Sequence, residues 1–290
     1  MSKILVSGAT GNVGKEVIRA LQESDTTHEI TCGVRNPEES REAFPDTPQL
    51  KHIAFDFEKP ETFDNALLGQ DRIFLLRPPQ ISSVEKYFRP LMQAMRRHRV
   101  REVVFLSVQG VEQSSVIPHY QIEKLIREYA FSFVFLRPGY FMQNLETALY
   151  HDIRKKKKIV IPAGNARFNW VDTYDIGNAA AEVLNHFEQY RSRAFDITGP
   201  ENLTFKQVSD VLGLISGTEI NYESPNLISF FSRKKKDGVA TPFILVMIML
   251  HYLPRFQKPP RISDAVYKLT GKQPNYIEDY LKREKDKFRV

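Results

Sequence analysis

Gly8, Gly11 and Gly14 stand where an apolar run, Ile4-Leu5-Val6, gives way to the helical spacing of Val13, Val17, Ile18 and Leu21. Glycines so spaced do chemistry through the backbone. Gly8 permits a sharp exit from a strand, Gly11 lets the main chain approach a pyrophosphate, and Gly14 removes a side chain where helix meets sheet. The N–H groups that open a helix have no partner of their own and turn toward an anion placed there. Thr10, Asn12 and Val13 lie in the same turn and join its cofactor-binding residues. The stretch is therefore read as a nucleotide-binding turn; the plainer alternative is a tight strand–helix turn with no ligand.

Further candidates sit at the ends of the strands that follow. Arg35 comes directly after the second apolar strand, and neither of the two residues after Val34 is acidic. An acid there would accept from a ribose 2′-hydroxyl, whereas an arginine pairs with a 2′-phosphate, which favours NADPH over NADH. Asp56 and Phe57 end the third strand, where the first would accept from an adenine amino group and the second would cover the ring. Arg77 and Pro78 end the fourth strand and Ser107 the fifth, nearer a pyrophosphate and a nicotinamide; Gln109 follows on the acceptor side. Each has a structural alternative: a surface arginine, a strand-end turn, a salt bridge.

The elements that must hold these residues alternate. Strands are predicted at 3–8, 29–34, 50–56, 72–76, 102–107 and 131–137, with helices at 12–23 and 83–97 among those between them. Pro90 is expected to disturb the second of these helices. Such alternation means an α/β fold: a doubly wound, mostly parallel sheet whose ligand crevice lies at the C-terminal strand ends. A smaller C-terminal α/β lobe follows. The predicted division is a nucleotide-binding domain over 1–155, with return segments at about 168–198, and a mixed substrate lobe over 156–290. Thr204 and Gln207 are spaced as a capping box. The apolar run 243–250 is too short to span a bilayer. A helix buried in the lobe or lining its substrate cleft is the first expectation for it, before a subunit interface or a membrane-touching helix.

Composition narrows the function classes. The chain has 290 residues, 41 basic and 35 acidic, a net charge of +6. Much of the excess sits in residues 155–158 and 233–236, read as solvated faces. No nucleic-acid motif accompanies them, so a nucleic-acid partner is not expected. One cysteine, Cys32, excludes an internal disulfide, and the seven histidines show no metal-ligand spacing. There is no nucleophile elbow and no phosphate loop with a lysine–hydroxyl pair. With no signal-peptide pattern and no transmembrane run, the expectation is a cytoplasmic monomer or homodimer.

Several segments carry a family likeness: Gly8-Ala9-Thr10-Gly11-Asn12-Val13-Gly14, Arg35-Asn36-Pro37, Asp56-Phe57, Pro78-Pro79, and Leu136-Arg137-Pro138-Gly139-Tyr140-Phe141-Met142-Gln143-Asn144. Leu269-Thr270-Gly271-Lys272-Gln273-Pro274 and Tyr276-Ile277-Glu278-Asp279-Tyr280 extend it to nearly the full length. In these the chain resembles the NmrA-like family of atypical short-chain dehydrogenases/reductases, which implies a Rossmann fold. Tyr120 and Lys124 mimic the reactive pair of short-chain dehydrogenases, in which the lysine lowers the phenol's pKa. Counting back from Leu136-Arg137-Pro138, however, places the family's tyrosine at Ser115 and its lysine at His119, with Glu123 at a position where relatives often carry glutamate. The resemblance thus makes His119 the better catalytic candidate, holding a ribose, orienting a carbonyl or donating a proton. Tyr140 is a second. Phe141 and Asn144 resemble residues that shape a substrate cleft, and Trp170 is expected to cap it. The function implied is an NADPH-dependent reductase passing hydride to a small quinone-like, unsaturated or carbonyl acceptor. The alternative is an NADP-binding redox-sensing regulator without significant turnover.

Overall fold

From the first strand onward the chain alternates as its periodicity dictates. A computed structural model describes residues 1–24, 26–44 and 50–289. In order come β1 (Lys3–Ser7), α1 (Asn12–Glu23), β2 (Glu29–Val34), α2 (Pro37–Ala43), β3 (Leu50–Ala54), α3 (Glu61–Leu67), β4 (Arg72–Leu75), α4 (Val84–Arg97), β5 (Glu102–Leu106), α5 (Pro118–Glu128) and β6 (Ser132–Pro138). Then follow β7 (Tyr140–Phe141), α6 (Tyr150–Lys156), β8 (Lys158–Val160), β9 (Arg167–Val171), α7 (Thr173–Asn185), α8 (Phe187–Tyr190), β10 (Arg193–Ile197) and β11 (Asn202–Thr204). Last are α9 (Phe205–Ser216), β12 (Asn221–Glu223), α10 (Leu227–Lys236), α11 (Thr241–Tyr252), α12 (Ala265–Thr270), α13 (Ile277–Arg283) and α14 (Lys285–Phe288).

These elements form two units. The first comprises Met1–Pro138, Thr173–Ile197 and Ala265–Lys272; the second comprises Gly139–Asp172, Thr198–Asp264 and Gln273–Val290. The first unit is built on a seven-stranded sheet of order β10-β6-β5-β4-β1-β2-β3. All its pairings are parallel. The order reverses between β1 and β4, which opens a crevice beyond their C-terminal ends. Ser7 stitches that point: its hydroxyl donates to the Phe74 carbonyl at 3.1 Å and accepts from the Leu76 N–H at 2.8 Å. Cys32 is buried in β2, where burial pushes its thiol up to about 12.

Helix α1 is pressed between the sheet and α7. A Cβ on Gly14 would lie 2.2 Å from the Gly8 carbonyl oxygen and 2.7 Å from Ala9 Cα. On the other side a Cβ on Gly177 would lie 2.6 Å from the Glu16 backbone. Helix α4 runs unbroken through Pro90, contrary to the expected disturbance. Proline forfeits one backbone bond, but Phe88, Leu91, Met92 and Met95 lock both halves into the core.

The second unit holds a three-stranded sheet, β11-β9-β7, and a two-stranded one, β12-β8. The capping box of α9 forms as its sequence predicts, with Thr204 and Gln207 satisfying each other's backbone. The apolar run 243–250 is not wholly buried in the lobe, contrary to one form of its first expectation. It forms α11, but only Ile244, Met247 and His251 of that helix are buried. One stripe finds a protein partner, and the rest of an apolar helix remains at the surface.

The Gly14 contact is with backbone, which cannot swing aside as a side chain can. Gly14→Ala should therefore destabilise the chain by at least about 2 kcal/mol, measured as a lower urea midpoint with an unchanged m-value.

Candidate functional site

The glycine turn is open. Gly8 sits at φ +61°, a conformation glycine adopts without penalty. The Gly11 N–H closes the turn on the Gly8 carbonyl at 3.0 Å. Gly11 is the N-cap of α1 and no side chain caps that helix. Gly8, Thr10, Gly11 and Asn12 are exposed, while Val13 and Gly14 are buried beneath them. An uncapped helix start behind an exposed glycine turn presents N–H donors and a positive dipole end to an anion.

The other strand ends differ in what they leave available. Arg35 is exposed directly after β2. Asn36 beside it is engaged as the N-cap of α2, accepting from the Glu38 N–H at 3.1 Å. β3 ends two residues before the predicted 56. Asp56 is half-buried in the following turn, its carboxylate accepting from the Glu58 N–H at 3.0 Å. Phe57 packs inward: its ring centroid lies 5.0 Å from that of Phe88 and 5.3 Å from that of Phe55. At 6% exposure it is a core residue with little surface left for a ligand ring.

Arg77 braces its own loop. Its Nη1 donates to the carbonyls of Pro78 at 3.1 Å, Pro79 at 3.2 Å and Ile81 at 2.6 Å. Ser107, at the end of β5, is buried, and its Oγ has no hydrogen-bond partner. A buried hydroxyl without a partner is costly, so its position calls for a ligand atom or water. Gln109 is half-buried; its backbone N–H donates to the Pro138 carbonyl at 2.9 Å and its side-chain amide to Asp196 at 3.4 Å.

Helix α5 separates the rival catalytic registers. Lys124 lies on its exposed face, paired with Glu128 at 3.5 Å. His119 and Glu123, one turn apart, lie on the inner side. Glu123 is buried and accepts from Arg137 of β6 at 3.0 and 2.8 Å. His119 Nε2 accepts from Arg77 Nε at 3.3 Å, which places the ring proton on Nδ1. Burial, then the Arg77 guanidinium, push the imidazole pKa down to about 3. His119 is thus a neutral hydrogen-bonding group, and the expected proton donation near neutral pH has no support in this setting.

Tyr140 belongs to the second unit, where its O–H donates to His251 Nε2 at 2.9 Å. The other nitrogen of His251 donates to the Met247 carbonyl at 2.6 Å. Burial raises the Tyr140 pKa, against an opposing hydrogen bond with Asn144. Burial also lowers that of His251 to about 4. The pair is therefore a neutral phenol bonded to a neutral imidazole. His251 escaped sequence reading, although a lone histidine at the end of an apolar run signals a polar partner in the core. Phe141 and Asn144 are half-buried in the same unit. Trp170 is wholly buried, its indole N–H donating to the Leu203 carbonyl at 3.2 Å and its ring against Tyr140 and Phe205. Its place is the core of that unit.

The model of the NmrA-like family matches residues 1–251. Prestalk A differentiation protein A of Dictyostelium discoideum is 30% identical over 281 residues, covering 96% of this chain and 91% of that protein. An NAD(P)H azoreductase of Xenophilus azovorans is 27% identical over 289 residues, covering 96% of each. Among solved structures, an NADPH-dependent quinone oxidoreductase of Escherichia coli in complex with NADPH superposes with a TM-score of 0.84. It is 18% identical and covers 97% of this chain and 99% of that one; at that identity the likeness is one of fold.

The imidazoles of His119 and His251 both bind a proton less readily in the folded chain than at the ordinary 6.5. The unfolded chain therefore takes up more protons below that pH, and stability falls as pH drops from about 6.5 toward about 4. Imidazole 15N spectra should show His119 and His251 as Nδ1–H tautomers that stay neutral at pH 5, assigned by loss of signal in His119→Gln and His251→Gln. A titration midpoint near 6.5 for either would contradict this. Tyr140→Phe leaves His251 Nε2 buried without its donor and should cost about 1–3 kcal/mol in a urea titration.

Proposed function

The chain belongs to the NmrA-like family, and on that premise we propose that it is an NADPH-dependent reductase acting on a small, flat quinone-like, azo or carbonyl acceptor. One observation carries the reading. At the C-terminal ends of β1 and β5, the strands that flank β4, the first unit offers an open glycine turn before an uncapped helix and a buried hydroxyl, Ser107 Oγ, without a partner. Those features suit a dinucleotide laid across the strand ends.

In this reading Gly8, Thr10, Gly11 and Asn12 line the pyrophosphate through their backbone, with Val13 and Gly14 setting the helix behind them. Arg35 pairs with a ribose 2′-phosphate, because an exposed guanidinium offers two parallel donors to an anion. Asp56 is a candidate for the adenine edge. Arg77 and Pro78 shape the loop after β4, and Arg77 fixes the His119 ring so that its Nδ1–H is the group available to a ribose or acceptor oxygen. Ser107 donates to the nicotinamide side. When bound, the reduced nicotinamide supplies the hydride. Quinone-like acceptors suit this chain because His119 is held neutral and the reduced oxygen can take its proton from water. Gln109, Phe141 and Asn144 remain candidates for the acceptor.

The nucleotide-free protein should bind NADPH more tightly than NADH, read by nicotinamide fluorescence. Arg35→Ala should weaken NADPH by about tenfold or more while leaving NADH nearly unchanged. Gly11→Ala should abolish binding of both and disturb folding less than Gly14→Ala, since its Cβ would lie 3.3 Å from the Gly8 carbonyl against 2.2 Å for Gly14. Absorbance at the reduced-nicotinamide band should then decay only when a quinone or azo dye is added. Tight binding without decay across that panel would favour the regulatory alternative. No binding of either nucleotide would overturn the reading of the turn itself.

A further inference from the structure

Helix α11 is unusual for a surface helix because its sequence, Thr-Pro-Phe-Ile-Leu-Val-Met-Ile-Met-Leu-His-Tyr, contains no Asp, Glu, Lys or Arg. Ile244, Met247 and His251 fall on one side at helical spacing, and these are the residues it buries. The opposite side is apolar as well. Phe243, Leu245, Val246, Met249, Leu250 and Leu253 are 39–55% exposed. A helix facing water normally carries polar residues outward, and a contiguous apolar face of this kind marks an interaction surface.

The surroundings of that face are basic. From Arg233 to Arg261 the sequence holds seven Lys or Arg residues and a single acid, Asp237. α10 ends in Arg233-Lys234-Lys235-Lys236, and the Lys235 ammonium donates to Thr241 Oγ1 at 3.2 Å, so the basic end of α10 meets the start of α11. The fold brings a second basic run to the same place. Lys156 reaches Asp237 at 3.4 Å, and Lys158 shares Glu223 with Arg233 at 3.5 and 2.5 Å. Lys234 is consumed by the buried carboxylate of Asp152 at 2.6 Å, but Lys155, Lys157, Lys235 and Lys236 are exposed. Two runs that read separately as solvated faces form one cationic border. A symmetric contact with a second copy would set like charge against like charge around its rim, which disfavours self-association.

We propose that this face docks the chain on an anionic lipid surface. Leu245, Val246, Met249 and Leu250 enter the boundary between headgroups and acyl chains, and the surrounding lysines and arginines meet lipid phosphates and carboxylates. The helix is about 18 Å long and lies in the interface without crossing it; none of the helices of the described residues is long and apolar enough to cross a membrane.

The test is cosedimentation of the full chain, without nucleotide, with vesicles of phosphatidylcholine alone or mixed with phosphatidylserine. Protein should pellet with the mixed vesicles and not with the neutral ones, and added salt should weaken binding. The double variant Leu245→Glu/Leu250→Glu, at exposed positions and so compatible with folding by circular dichroism, should bind at least about tenfold more weakly. Lys235→Glu/Lys236→Glu should lose a similar factor. The proposal is overturned if the wild-type chain stays in the supernatant with anionic vesicles, or if the leucine variant pellets as well as wild type. Dimerisation in the ultracentrifuge that the leucine variant abolishes, with no vesicle binding, would assign the face to a second copy instead. Since no nucleotide is present, failure here leaves the reductase reading untouched.

Discussion

The rest of the structure depends on how closely α1 approaches the exit of β1. The helix can start where it does only because residue 14 has no side chain: even one carbon there would lie 2.2 Å from the Gly8 carbonyl. The same helix is clasped from behind by α7, where a Cβ on Gly177 would lie 2.6 Å from the Glu16 backbone. Arg19 secures that contact, its guanidinium 3.9 Å over the Tyr174 ring and hydrogen-bonded to Asn178 at 2.9 Å. With α1 fixed on both sides, its uncapped first turn is aimed over the point where the strand order reverses. The glycines thus act twice, once as packing and once by keeping side chains away from the uncapped helix start.

Around that fixed point the polar groups divide into those already satisfied and those left waiting. Arg77, Glu123, Arg137 and Asn36 have protein partners that brace loops or tie helices to strands. Ser107 Oγ has none. His119 lies between these cases: it accepts from Arg77 on one nitrogen and carries its proton on the other. Burial and a neighbouring positive charge disfavour its charged form, which leaves a neutral ring with one N–H, on Nδ1. Tyr140 and His251 follow the same logic in the second unit. In each unit, burial thus favours neutral, pre-positioned hydrogen-bonding groups over charged ones.

Much of this was legible in the sequence because it rests on local rules. The glycine spacing, the alternation of apolar strands with helices, and the capping box at Thr204 and Gln207 all follow from spacing, period or cap chemistry. These properties are set within a few residues, so the amino-acid order by itself determined the glycine turn and the parallel sheet. Tertiary structure decided what lies opposite each side chain. Phe57 and Trp170 look like ligand-facing aromatics at strand ends, yet Phe88 in one case and Tyr140 with Phe205 in the other close over them. The run 243–250 is apolar throughout, yet the second unit covers one stripe of it and leaves the remainder outside. Pro90 looks like a helix break, yet packing on both sides carries the helix through. Periodicity shows that a face is apolar, but whether protein covers it depends on contacts between residues far apart in the chain, and no local pattern encodes those.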